Sequence, residues 1–358
     1  GCGDCAVQSN CLSVEPVETE LGRKRRINQS SCNQDFSCLK GFCPSLVTIE
    51  GGQLRRQQSS AERPDPASLP PLTEPTLPSC TQAYGIVVAG IGGTGVITIG
   101  QLLGVAAHLE GKGVVTQDAA GLAQKGGATW SHVQIAEHQR AIHTTKVGMA
   151  EADLVLGCDP IVSAHEATLS VMQRGRTRLA LNSHGTPTAA VLHDPAWAFP
   201  SGQCDQVLTE AVGPEHLRRL DTVALAEHLL GDALYANPLL LGFAWQMGWV
   251  PLQRASIERA LTLNATQVER NLQAFTWGRH AAQDPALLSR WGAPAQTVQW
   301  FGRGKPSGSV QTLDELVQDR HARLVDYQDR AFAQRYLDVL ARVRAAEQPL
   351  GSQQLSLA

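Results

Sequence analysis

Six cysteines stand near the start of the chain as Cys2-x2-Cys5-x5-Cys11 and then Cys32-x5-Cys38-x4-Cys43, the last followed by Pro44. Soft thiolates at such short spacing suit tetrahedral zinc or the irons of a cluster. A ferredoxin has two cysteine groups, each closing in Cys-Pro, and the last cysteine of one group serves the other group's cluster. Here only the second group closes that way, and its spacings are stretched. The residues alone lean to iron–sulfur over zinc and leave both open. Structural disulfides rank a distant third, because no export signal precedes the cluster. Cys80, Cys158 and Cys204 are scattered and read as ordinary thiols.

A second constellation is Gly90-Ile91-Gly92-Gly93-Thr94-Gly95, which satisfies G-x-G-x-x-G. Backbone amides at a helix start could hold a phosphate there, of a dinucleotide or of coenzyme A. Equally, the glycines could serve only a tight turn and close strand–helix packing. Gln124-Lys125-Gly126-Gly127 adds an ammonium and more backbone donors, with Lys125 the candidate charge for a cofactor phosphate. A loop packed on another domain is the competing reading. Asp118 stands roughly where a ribose-binding acid would be sought. His132 and His184 fall near expected strand ends, although a structural histidine is the commoner outcome. No Ser/His/Asp set or carboxylate pair suggests a general acid or base.

The elements that must position these residues follow from periodicity. Ile86 to Ala89 reads as a buried parallel strand, and Val96, Ile99, Leu102, Leu103, Ala106 and Leu109 share one face of a helix. Gly113–Thr116, Ala128–Ala136, Ala152–Gly157 and Arg178–Leu181 are further strands. A helix is expected from Ile161 to about Arg174, between the third and fourth of these. Helices are also expected over Thr222–Leu230, Pro238–Met247, Ser256–Leu263 and Thr266–His280, and as one stretch from a capping box at Thr312–Glu315 toward Ala346. The fold class is therefore α/β: a Rossmann-like, mostly parallel sheet with a helical C-terminal extension, preceded by a small cysteine-rich, ferredoxin-like iron–sulfur segment.

The boundaries are 1–50 for the cysteine-rich segment and 51–83 for a Pro-rich linker that divides two units. The α/β domain takes 84–283, and 284–358 holds a further linker and the start of a helical region. With 358 residues and 43% hydrophobic content, a sizeable core is available. A formal charge of −3 gives no footprint for nucleic acid. Arg23-Lys-Arg-Arg26 reads as a solvated turn. No apolar stretch reaches membrane-spanning length, so no membrane partner is expected. A chain opening at Gly1, inside a cysteine run, is expected to be a piece of something longer.

Several segments together resemble a known family. Gly1–Cys11, Gly22–Arg26, Ser30–Cys38 and Gly41–Ser45 are similar to the iron–sulfur segment of bacterial indolepyruvate ferredoxin oxidoreductases, large fused members of the 2-oxoacid:ferredoxin oxidoreductases. The Gly90–Gly95 turn, Asp118–Gly127, Ser131-His132, Asn237–Gly242 and Asn271–Phe275 resemble the gamma, or pyruvate/ketoisovalerate oxidoreductase catalytic, domain of the same family. Residues 311–346 resemble the opening of the helical region that follows it.

The resemblance implies a thiamine diphosphate-dependent oxidative decarboxylation of an arylpyruvate. Electrons would leave through a [4Fe-4S] cluster to ferredoxin, and coenzyme A would collect the acyl group. It makes Cys2, Cys5, Cys11, Cys32, Cys38 and Cys43 the cluster ligands. Thiamine diphosphate and Mg would be bound by domains outside this chain, which alone should be inactive. The whole enzyme is expected to be cytoplasmic and a homo-oligomer. Two rival readings are an NAD(P)-dependent Rossmann dehydrogenase and a non-enzymatic module pairing a zinc ribbon with an α/β interaction domain.

Overall fold

The computed structural model describes residues 13–19, 22–28, 32, 66, 69–120, 127–186, 197–284 and 313–347. Two compact units divide it, residues 1–302 and 303–358. The first unit holds a six-stranded sheet in the order β4-β5-β3-β6-β7-β8 and a separate two-stranded hairpin.

The hairpin pairs β1 (Val14–Thr19) antiparallel with β2 (Gly22–Ile27). The basic run expected as a turn is therefore strand, with Arg23, Lys24, Arg25 and Arg26 in register with Glu18, Val17, Pro16 and Glu15. Four adjacent cations look like a solvated loop in sequence, whereas a strand only needs acceptors on its neighbour.

In the large sheet, β3 (Tyr84–Ile91) lies at the centre. It runs parallel to β6 (Leu154–Gly157), which is followed outward by β7 (Arg178–Asn182) and β8 (Leu217–Leu220). On its other side it meets β5 (Ala128–Ala136) in antiparallel register. Beyond β5 lies β4 (Gly113–Ala120), also antiparallel to β5. Five of the six strands thus share one direction, and β5 is inserted against the grain.

Alternation along β3 builds two cores. Ile86 and Val88 face α1 (Val96–Leu109), α5 (Thr222–Leu230), α6 (Ala236–Gln246), α7 (Arg254–Leu263) and α8 (Val268–Gln283). Val87 joins Val155, Leu179 and Leu181 against Leu208 and Val212 of α4 (Ser201–Val212) on the other side. Each fully buried aliphatic side chain contributes about 1.5–3 kcal/mol, so the two faces hold the sheet between helical layers.

Three expectations need correction. The helix from Ile161 to Arg174 is two short turns, α2 (Pro160–Ser163) and α3 (Glu166–Leu169). The ring Nδ1 of His165 accepts from the Ala167 amide at 3.2 Å, and the Thr168 hydroxyl donates to the Val162 carbonyl at 2.6 Å, so side chains take over bonds a continuous helix would make. Strand β8 was not expected, because only its ends, Leu217 and Leu220, are buried. The C-terminal helix is two, α9 (Leu313–Tyr327) and α10 (Arg330–Glu347), and Asp329 caps the second through the Phe332 amide at 2.7 Å. The side chains of the expected capping box lie outside the described residues.

Residues 69–83 of the expected linker lie along the α/β unit. Leu69 and Leu77 pack on its core, the Thr73 carbonyl accepts from Gln246 Nε2 at 2.7 Å, and the Cys80 carbonyl accepts from the Glu137 amide at 2.8 Å. Proline removes donors but leaves carbonyls available, which suits an extended strap.

Candidate functional site

The sheet order reverses between β3 and β6, since the chain leaves β3 toward β4 on one side and returns to build β6, β7 and β8 on the other. In open α/β sheets the crevice outside the carboxyl ends of the strands at such a point is where ligands bind. The carboxyl ends of β3, β6, β7 and β8 lie along this edge, and the starts of α1, α2 and α5 follow three of them.

The glycine turn closes β3. Gly90 is still strand, paired with Thr129, and a Cβ on it would lie 2.8 Å from both Cys158 Cβ and Val96 Cγ2. Its lack of a side chain serves close packing. Gly93 and Gly95 have φ of 88° and 94°, a region that disfavours other residues. Gly95 is the N-cap of α1, with no side-chain cap. The Gly92 amide donates to the Gly127 carbonyl at 2.7 Å and the Thr94 amide to the Ile91 carbonyl at 3.3 Å, so part of the turn's donor capacity is spent internally. Asn237, in the first turn of α6, donates from Nδ2 to the Thr94 carbonyl at 2.8 Å. Lys125 lies outside the described residues; the segment containing it ends on Gly127, whose carbonyl touches the turn.

At the end of β6, Asp159 caps α2, its Oδ1 accepting from the Val162 amide at 2.9 Å. Its Oδ2 is buried with no partner among the described residues. Burial pushes this carboxyl up to about 6, against the pull of the Val162 and Ile161 amides and of His184. Asn182, at the end of β7, ties three strand ends together. Its Nδ2 donates to the Cys158 carbonyl at 3.0 Å, while its Oδ1 accepts from the Thr222 and His184 amides, both at 3.1 Å. Beyond it, His184 Nδ1 lies 3.3 Å from Asp221 Oδ1. Burial works against charge on His184, yet the hydrogen bond and charge of Asp221, with Glu227 and Glu15, outweigh it and hold the imidazole above its usual range. Asp221 also caps α5 through the Ala224 amide at 2.9 Å.

His184 stands at a strand end as expected, but His132 does not. It sits mid-strand in β5, opposite Val87 on one side and Gln117 on the other. Burial and Lys146 lower its pKa. Asp118 lies inside β4, where its carboxylate accepts the Ser131 hydroxyl at 2.6 Å, and so is engaged within the sheet. Asp159, Asn182 and Asp221 were missed by sequence reasoning. The signal available was their common position, each an Asp or Asn just past an apolar run.

Of the six expected metal ligands, only Cys32 lies among the described residues, and among those residues no group of three or more metal-ligating side chains occurs. The hairpin nonetheless bears on the cysteine pattern. At its open end the Asn28 amide donates to the Ser13 carbonyl at 2.8 Å, and the Cys32 amide donates to the Asn28 carbonyl at 3.1 Å. In the sequence Ser13 stands two residues past Cys11. Cys158 and Cys204 are buried, and burial raises both thiols.

The architecture is that of a doubly wound α/β domain with a switch-point crevice. Residues 85–281 match the pyruvate ferredoxin/flavodoxin oxidoreductase family, and the chain belongs to that family. Residues 313–358 match a family of unknown function. The chain is 28% identical over 204 residues to indolepyruvate oxidoreductase subunit IorB of Methanothermobacter thermautotrophicus, covering 56% of this chain and 98% of that protein. It is 24% identical over 203 residues to the subunit of the same name from Thermococcus kodakarensis, covering 56% and 96%. Among solved structures it is similar to the keto/oxoacid ferredoxin oxidoreductase gamma subunit of Geobacter sulfurreducens, at 21% identity and a TM-score of 0.39, covering 56% of this chain and 98% of that one. No helix among the described residues is long and apolar enough to cross a membrane.

Proposed function

We propose that this chain is the cluster-bearing and gamma-domain portion of a thiamine diphosphate-dependent indolepyruvate, or arylpyruvate, ferredoxin oxidoreductase. The observation that carries the reading is the family match over residues 85–281, preceded in the sequence by two cysteine groups. The relatives named as indolepyruvate oxidoreductase subunits support the substrate class.

In this reading Cys2, Cys5, Cys11, Cys32, Cys38 and Cys43 supply the ligands for [4Fe-4S] chemistry, four thiolates to a cluster, that passes electrons to ferredoxin. Thiamine diphosphate and Mg, bound by other domains of the same cytoplasmic, homo-oligomeric enzyme, supply the carbanion-stabilising chemistry of decarboxylation. Coenzyme A collects the acyl product. The amides at Gly93, Gly95 and the start of α1, with Lys125, hold a phosphate at the switch-point crevice, Asn237 keeping the turn in place. Gly90 and Gly92 shape that turn by packing and by the bond to Gly127.

Anaerobic purification tests the cluster. A brown protein with iron and sulfide in equal amount, losing iron on Cys32→Ser, is expected; a colourless protein with stoichiometric zinc overturns it. For the whole enzyme, indolepyruvate, coenzyme A and thiamine diphosphate should reduce ferredoxin. Tight NAD(H) binding to the chain by isothermal titration would favour the dehydrogenase reading instead.

A further inference from the structure

The two edges of the six-stranded sheet are built differently. At one, β8 is four residues long and carries Arg218 and Arg219 at its exposed positions, Arg219 being paired with Asp205. Short, charged edges resist pairing with another chain. At the other, β4 runs for eight residues, in unbroken register with β5 and without lysine or proline. The Val114 amide donates to Gln139 Oε1 at 3.0 Å rather than to β5. By the alternation of an antiparallel ladder, Val114, Thr116 and Asp118 therefore direct their backbone groups away from β5. Gln139 closes the Val114 end. Thr116 and Asp118 are exposed, and no strand lies beyond them among the described residues.

We propose that β4 pairs antiparallel with β4 of a second copy of this chain, about a two-fold axis at Gln117, joining two sheets into one. Self-complementarity selects this occupant and this register. Thr116 stands opposite Asp118 of the second copy, and the contact is made twice. Asp118 Oδ1 accepts the Ser131 hydroxyl at 2.6 Å, which leaves Oδ2 for the Thr116 hydroxyl across the axis. Sliding the pair one way sets the two Asp118 carboxylates against each other. Sliding it the other way runs Asp118 into the Gln139 that covers Val114.

The helix above this edge fits the same axis. A Cβ at Gly100 would meet Ser131 of β5, and one at Gly104 would lie 3.0 Å from Thr116 Cγ2 of β4, so α1 runs between these two strands. With strands about 4.8 Å apart, α1 and its copy come to about 10 Å from each other, a helix-packing distance. Gln101 and His108 are exposed one turn to either side of Gly104. A two-fold beside Gly104 sets Gln101 opposite His108 of the second copy, so unlike groups meet. The pairing is independent of the reaction proposed above and of what the glycine turn binds.

Sedimentation velocity on the full chain, kept anaerobic, should show a dimer that dissociates on dilution. Thr116→Pro removes an amide that crosses the axis and none that β5 uses, so the urea midpoint should hold. The dimer should weaken at least about tenfold. Gln117→Cys tests the register, because the central non-hydrogen-bonded pair has its Cα atoms about 4.5 Å apart, within reach of a disulfide. Brief treatment with diamide should link the peptide holding position 117 to its own copy. A monomer at every concentration, a dimer unmoved by Thr116→Pro, or a dimer in which position 117 does not link to itself overturns the proposal. Slowly exchanging Thr116 and Asp118 amides in a monomer would overturn it too, by showing a different strand on this edge.

Discussion

Asn237 Nδ2 donates to the Thr94 carbonyl at 2.8 Å, joining the first turn of α6 to the glycine turn across 143 residues of chain. The asparagine is 6% exposed, and the turn it holds has no side-chain cap of its own at Gly95. The switch-point loop is thus held in shape from outside.

That relationship gives the first prediction. Asn237→Ala leaves the Thr94 carbonyl without this donor and should cost about 1–2 kcal/mol of stability in urea unfolding. Faster amide exchange confined to residues 92–96 would mark the loss as local to the turn. A variant with wild-type exchange there would show that the bond does not hold the loop.

Asn182 has a larger task, because one side chain serves the carbonyl of Cys158 and the amides of His184 and Thr222. Asn182→Ala should destabilise by about 2–4 kcal/mol, since buried partners lose their bonds together. Asn182→Asp keeps the acceptor but loses the donor to Cys158 and adds a buried charge, so it should not rescue stability at neutral pH.

The close helix pair α6–α8 offers a steric test. A Cβ at Gly278 would stand 2.8 Å from the Leu239 carbonyl carbon and from the Phe243 nitrogen, and one at Gly242 would stand 2.8 Å from the Phe275 carbonyl carbon. Backbone cannot give way as a side-chain tip does. Gly278→Ala should therefore lower stability by about 1–3 kcal/mol or more, read as a lower urea midpoint with an unchanged slope.

Asp159 predicts a pH dependence opposite to that of a surface carboxylate. Its folded pKa is raised to about 6 from 3.8, so the folded state holds the proton over a window where the unfolded chain has released it. The contribution is present below 3.8 and is lost as pH rises to about 6. Asp159→Asn, which retains an oxygen for the Val162 amide, should be more stable than wild type at pH 7.5 by about 1–3 kcal/mol. The two should converge near pH 4. Denaturant titrations across that range decide it; a constant difference would show that Asp159 does not titrate in this way.

Thiol labelling checks the reading of the scattered cysteines. Burial raises the thiols of Cys80, Cys158 and Cys204, so little reactive thiolate forms. Iodoacetamide at mild alkaline pH should modify them only as the domain unfolds, as followed by peptide mass mapping.

Much of the plan is local and was readable without coordinates. Strand, glycine turn and helix from Tyr84 to Leu109 are written in contiguous residues, because apolar alternation and left-handed glycines need only near neighbours. The expected helix over Thr222–Leu230 is likewise bounded by local features, a capping Asp221 before it and Gly231 in a left-handed conformation after it, although the structure and not the sequence reading identified those caps. The cysteine groups and their family likeness were equally a property of sequence. Tertiary structure decided the rest through contacts between distant residues. It inserted β5 antiparallel beside β3, took Asp118 into the β4–β5 ladder, and buried one oxygen of Asp159 without a partner among the described residues. It also brought His184 to Asp221 and within the field of Glu15. Periodicity reports which face of an element is buried, but pairing, register and the company a buried charge keeps are set only when the strands assemble.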